Sequence, residues 1–125
     1  MITTGASVPD ELVARFSDPL LQDIYCDALP MKVTNDPAHR TFSDWAIARA
    51  RWIERGADVS VWLRFGGRQN LGDIGSGPIK ATLDGLAVVL GADESRDVDD
   101  RVVALVTEQA APGVPLGCLG VTVAV

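Results

Sequence analysis

Polar and apolar positions along the chain alternate with two different periods, and the change of period marks the elements. From residue 41 to 56, TFSDWAIARARWIERG, the residues Phe42, Trp45, Ala46, Trp52 and Ile53 recur at helical spacing. Thr41 followed three positions later by Asp44 is a capping-box pattern with Asp in place of Glu or Gln, and Gly56 stands where a helix ends. The pattern predicts a helix over this segment, with Arg49, Arg51 and Arg55 projecting from it. DVSVWLRF (58–65) then alternates and is rich in β-branched and aromatic residues, which predicts a strand running into the turn GGRQNLG. Gly77 and Pro78 open a second helix, with Ile79, Leu83, Leu86 and Leu90 along one face and Gly91 as its stop. RVVALVTE (101–108) and CLGVTVAV (118–125) read as two more strands, and the turn-rich QAAPGVPLG between them predicts an antiparallel hairpin.

Residues 1–40 carry less pattern. ELVARF and PLLQDIY each show a short helical spacing, and LPMKVTNDPAHR is a loop rich in turn formers. The expected architecture is a single small α/β (α+β) domain over 41–125, a mixed sheet of three to four strands with two main helices, preceded by an extension, 1–40, of unclear structure. A chain of 125 residues is long enough to bury a core without metal or disulfide support.

Composition narrows the class. With 47% hydrophobic and 22% charged residues the chain is an ordinary globular one. The N-terminus MITTGASVPDELVARF lacks the basic and apolar regions of a signal peptide, and the apolar tail is broken by Pro112 and Pro115, too soon for a membrane span. The expected location is cytoplasmic. Cys26 and Cys118 form no CxxC pair, and both are expected to be reduced. The net charge of −6 argues against nucleic-acid binding over the whole surface. Its distribution does not: residues 32–80 hold eight Lys and Arg against five acids, while the segments on either side are acidic. A DNA-facing patch built from Arg40, Arg49, Arg51, Arg55 and Arg68 and a solvated helix face both fit that distribution.

Several chemistries are excluded residue by residue. GDIGSG places Gly72 and Gly77 at the spacing of a phosphate-binding loop, but Pro78 occupies the lysine position and Asp73 would face the phosphate. His39 is the only histidine, so a zinc site built on several histidines is ruled out, and no GxSxG elbow accompanies it. Trp45, Trp52 and Trp62 sit on core-facing positions, which favours packing over base stacking. The carboxylates remain: Asp73 in the glycine-rich turn, Asp84 on the second helix, and Asp93 and Glu94 just beyond it. Hard divalent ions such as Mg²⁺ take one or two carboxylates together with water and substrate phosphate.

The order of these pieces resembles the RusA family of Holliday-junction resolvases. That family shows a strand, a turn with D-x-D-N, a helix with K-A-x-x-D-A-L, a D-D-x-Q-V segment and then strands. Here VSVWLRF, GDIGSGPI, KATLDGL, DESRDV, RVVALVTE and CLGVTVAV follow in that order over about half the chain. The resemblance implies a homodimeric, Mg²⁺-dependent endonuclease acting on branched DNA in recombination and repair. It makes Asp73, Lys80 and Glu94 the catalytic residues and Asp73, Asp93 and Glu94 the metal ligands, while the basic middle of the chain makes Arg49, Arg51, Arg55 and Arg68 the expected DNA contacts. Asp84 matches the helix aspartate. The second aspartate of D-x-D-N has no counterpart, since Gly75 or Ser76 stands there, and Arg96 replaces the glutamine. A catalytically silent DNA-binding module of the same fold and an acidic protein-interaction domain are the alternatives. Lys80 and Asp84 also fit a plain i,i+4 surface pair. A helix from Pro78 to Leu90 would be about 20 Å long, so the chain after Gly91 must return along it, or a partner subunit must contribute, for Asp73 and Glu94 to meet.

Overall fold

The computed structural model of the chain describes residues 2–4, 10–29, 37–50, 58–67, 77–86 and 102–125. The elements follow as β1 (Ile2–Thr4), α1 (Asp10–Ala14), β2 (Leu21–Tyr25), α2 (Pro37–Arg49), β3 (Val59–Phe65), α3 (Gly77–Gly85), β4 (Val102–Glu108) and β5 (Leu119–Ala124). Among the described residues, five strands form one mixed sheet in the order β1-β4-β3-β5-β2. β4 is parallel to β1 and β3, and β5 is antiparallel to β3 and β2. The α/β class is as expected. Two of the strands come from the N-terminal region that shows little periodicity, and they form the two edges of the sheet.

β3 is central, and its two faces serve two cores. Val59, Val61, Leu63 and Phe65 join Leu105, Leu119, Val121 and Val123 on one face. There α2 contributes Phe42 and Ala46, and α3 contributes Ile79, Leu83 and Leu86. The side of α3 expected to be buried is therefore the buried side. On the other face Trp62 packs with Ala104, Val106 and Ala124 beneath Leu12 and Phe16. A strand covered on both sides leaves few solvated positions, so Ser60 is buried and Trp62 packs into the second core. Trp45 packs at the margin of the first core, as its spacing predicts.

One polar contact crosses the second core. Trp62 Nε1 donates to Glu108 Oε1 at 2.6 Å, a part-buried hydrogen bond to a carboxylate. Glu108→Leu strands the indole N–H and is expected to cost about 1–3 kcal/mol in denaturant unfolding, whereas Glu108→Gln, which keeps an acceptor, costs less. Equal losses in the two variants would show that the bond contributes nothing.

Four expectations are corrected. PLLQDIY is not helical: its last five residues, Leu21–Tyr25, are β2. Leu21 and Tyr25 are its buried positions, and a spacing of four suits one face of a strand as well as one face of a helix. The first main helix starts at Pro37, not after Thr41. Proline suits the first turn, and Thr41 lies inside the helix, where its hydroxyl donates to the Pro37 carbonyl at 3.0 Å. α2 ends at Arg49 and α3 at Gly85, short of the expected stops at Gly56 and Gly91, which, like Leu90, fall outside the described residues. β4 and β5 do not form a hairpin, because β3 lies between them and pairs with both. The connecting residues pass over the end of β3, where Ala111 N–H donates to the Phe65 carbonyl at 3.0 Å and Ala110 N–H to the Gly67 carbonyl at 3.1 Å.

The cysteines, expected to be reduced, are instead bonded to each other. Cys26 and Cys118 are joined in a disulfide, their Cα atoms 4.4 Å apart and their sequence positions 92 apart. The β2–β5 register brings this about. Tyr25 stands opposite Leu119, so the next residues outward are Cys26 and Cys118. The Cys118 backbone N–H and C=O bond to the Pro115 carbonyl and the Gly66 N–H. The cysteines therefore occupy a non-hydrogen-bonded pair, the closer kind of antiparallel pair.

Candidate functional site

Of the candidate residues, Lys80 and Asp84 lie on α3, which follows β3 and precedes β4 in the chain. β3 ends at Phe65, Gly66 and Gly67 lead out of it, and α3 begins at Gly77. Because β3 and β4 are parallel, this exit lies beside the end of β4, with Arg64 in register with Glu108. Carboxyl ends of parallel strands are where open α/β sheets bind ligands. Asp73 and Arg68 belong to the connection between Gly67 and α3, which lies outside the described residues, as do Arg51, Arg55, Asp93 and Glu94.

Lys80 and Asp84 are described, and they meet. Lys80 Nζ lies 3.2 Å from Asp84 Oδ1, one turn along α3, with the two side chains only 22% and 19% exposed. So much cover distinguishes the pair from a freely solvated i,i+4 pair. The same helix buries Ile79, Leu83 and Leu86, so Lys80 and Asp84 sit at the edge of a packed face and are held in place by it.

Arg49 is also engaged. Its Nε is 3.0 Å from Asp23 Oδ2 on β2 and its Nη1 donates to the Trp45 carbonyl at 3.1 Å. The guanidinium carbon lies 5.0 Å from the centre of the Trp45 ring. Arg40 is exposed on the same helix. Nine residues at 3.6 per turn put Arg40 and Arg49 on opposite sides of α2. The helix by itself thus does not gather these two arginines into one patch.

Sequence spacing does not reveal the polar set at the carboxyl ends of β3 and β4. Arg64 lies over Gly120, where an added Cβ would come within 3.1 Å of the guanidinium nitrogens, and its guanidinium carbon is 5.9 Å from the Trp62 ring centre. Arg64 Nε and Thr107 Oγ1 are buried with no hydrogen-bond partner among the described residues. Alternation along β3 places Arg64 on the same face as Trp62, but only the register brings Glu108 and Gly120 beside it.

Among the described residues no group of three or more His, Cys, Asp or Glu side chains is placed to hold a metal ion. The three expected ligands, Asp73, Asp93 and Glu94, all lie outside those residues. The end of β3 and the start of β4 are at opposite ends of the sheet, so the distance between the two acidic segments depends on residues 87–101. Fifteen residues extend to about 50 Å, more than twice the roughly 23 Å length of a seven-residue strand, so chain length does not prevent a return. Among the described residues no helix is long and apolar enough to cross a membrane. The chain matches no protein-family model, no curated protein and no solved structure.

Proposed function

We propose that the chain is a RusA-like endonuclease that binds and cuts branched DNA with Mg²⁺, acting in the cytoplasm as a homodimer and slowed by a metal site one carboxylate short. The observation that carries this reading is α3: the motif KATLDGL lies on a helix between two parallel strands, with Lys80 and Asp84 in contact on its partly covered side. The segment with Asp73 precedes that helix in the sequence and the segment with Asp93 and Glu94 follows it, the order that the resemblance implies. A Mg²⁺ ion held by these carboxylates and by phosphate oxygens supplies an activated water and offsets charge at the scissile phosphate. Lys80 pairs with a DNA phosphate by exchanging its contact with Asp84, and Arg49, Arg51, Arg55 and Arg68 contact the backbone. A second copy offers a further source of acidic ligands.

Two facts favour a catalytically silent DNA-binding module as the second reading. Gly75 or Ser76 stands where the family has an aspartate, and Lys80 already has a carboxylate partner. Both readings require DNA binding. A four-way junction titrated at rising salt is expected to lose affinity with a slope of about −7 in log–log terms, each of the four arginines of both protomers neutralising roughly one phosphate. Substituting one of them, and so removing it from both protomers, should flatten the slope by about 2. No junction binding at low ionic strength leaves the acidic protein-interaction domain as the better account.

A further inference from the structure

We infer that the Cys26–Cys118 disulfide is a reversible redox latch, opened by thiol attack on Cys26, that controls how firmly residues 109–118 are held over the end of β3. The two cysteines differ in access. Cys26 is an exposed residue just beyond β2, while Cys118 is 8% exposed and packs with Ala111 and Val114. Access decides which sulfur an incoming thiol reaches, so attack falls on Cys26.

Among the described residues, the connection that Cys118 closes is held by a few backbone hydrogen bonds and a small apolar cluster. Ala110 has φ 50°, and Gly113 and Gly117 have φ 81° and 83°. The left-handed conformation is unfavourable for alanine, so contacts at the ends of the segment must impose it. Its apolar support is the small cluster of Ala111, Val114 and Cys118, and Leu116 points into solvent at 87% exposure. Yet the segment sits tightly on β3: Gly66 N–H donates to the Cys118 carbonyl at 3.0 Å, and a Cβ on Gly66 would lie 1.8 Å from the Pro115 carbonyl oxygen. The disulfide thus fastens the lid under which the chain leaves β3 at Gly66 and Gly67. This inference stands on the described residues and does not depend on the nuclease reading.

The exchange balances with a monothiol such as glutathione. Its thiolate bonds to the Cys26 sulfur, the S–S bond breaks, and Cys118 departs as a thiolate that takes up a proton. A second thiolate attacks the mixed disulfide, releasing Cys26 and forming the oxidised dimer of the thiol, so two thiols supply the two electrons. Cys118 stays opposite Cys26 in the β2–β5 register, so an oxidised thiol closes the bond again.

The test uses the intact, folded, oxidised chain. After brief exposure to reduced glutathione and acid quenching, mass spectrometry of peptides is expected to find the mixed disulfide on Cys26 over Cys118 by about tenfold or more. On full reduction, amide exchange at Gly66, Ala110, Ala111 and Cys118 should rise about tenfold or more relative to Val61 and Leu63, and oxidised glutathione should restore it. Cys26→Ser should show the reduced pattern without any reductant. Glutathione found on Cys118, no mixed disulfide, a bond that yields only to denaturation, two free thiols in the purified chain, or exchange that is unchanged or rises uniformly would each overturn the latch.

Discussion

Cys26→Ser is expected to lower the melting temperature of the oxidised chain by about 15–20 °C, the largest effect of any single substitution considered. The bond joins positions 92 apart, and closing so long a loop removes about 4–5 kcal/mol of chain entropy from the unfolded state. Serine at Cys26 isolates that term. The position is exposed, so it tolerates a hydroxyl, and Cys118 remains as a buried thiol among Ala111 and Val114, where a small apolar side chain fits. Reductant should produce the same drop in the wild type and none in the variant. A wild-type transition indifferent to reductant would show that the cysteines are unbonded or that the bond closes no loop of consequence. The folded sheet survives the loss, because both of its cores are independent of the bond.

Phe42→Ala should come next, at about 3–5 kcal/mol. The ring is fully buried at 0% exposure, 5.1 Å from the Tyr25 ring and 5.7 Å from that of Trp45, so it ties α2 to β2 and to the sheet. Truncation leaves a cavity that Tyr25 and Trp45 cannot both fill. Ile47 lies on the same helix but is 46% exposed, and Ile47→Ala should change stability by no more than about 0.5 kcal/mol in denaturant unfolding. Similar losses at Phe42 and Ile47 would contradict the packing described.

Period and burial agree where one element meets one core. Ile79, Leu83 and Leu86 are buried on the face that their spacing marks, and β3, β4 and β5 lie within the runs of β-branched residues. Local pattern fails where an element is defined by a distant partner. β2 has two buried residues four apart, and only its pairing with β5 makes it a strand. The β4–β5 connection resembles a hairpin locally, but β3 takes the place between them. The disulfide follows from a register between residues 92 apart, which no spacing of cysteines reveals. In the candidate site the contact between Lys80 and Asp84 is legible because it is one helical turn long, whereas its cover depends on the packing of α3. Arg40 and Arg49 share a basic stretch of sequence, and helical phase separates them. Asp73, Asp93 and Glu94 lie outside the described residues, so their meeting rests on the resemblance.

The most direct test of the central claim is cutting of a synthetic four-way junction, with and without Mg²⁺, by the wild type, Ser76→Asp and Asp73→Asn at equal protein and metal concentrations. Ser76 is preferred to Gly75 for restoring a carboxylate, since replacing a glycine also removes backbone freedom. The account predicts slow, Mg²⁺-dependent cutting by the wild type, faster cutting by Ser76→Asp through an added anionic ligand, and none by Asp73→Asn. Cutting that survives Asp73→Asn, or its absence from both the wild type and Ser76→Asp, would contradict it.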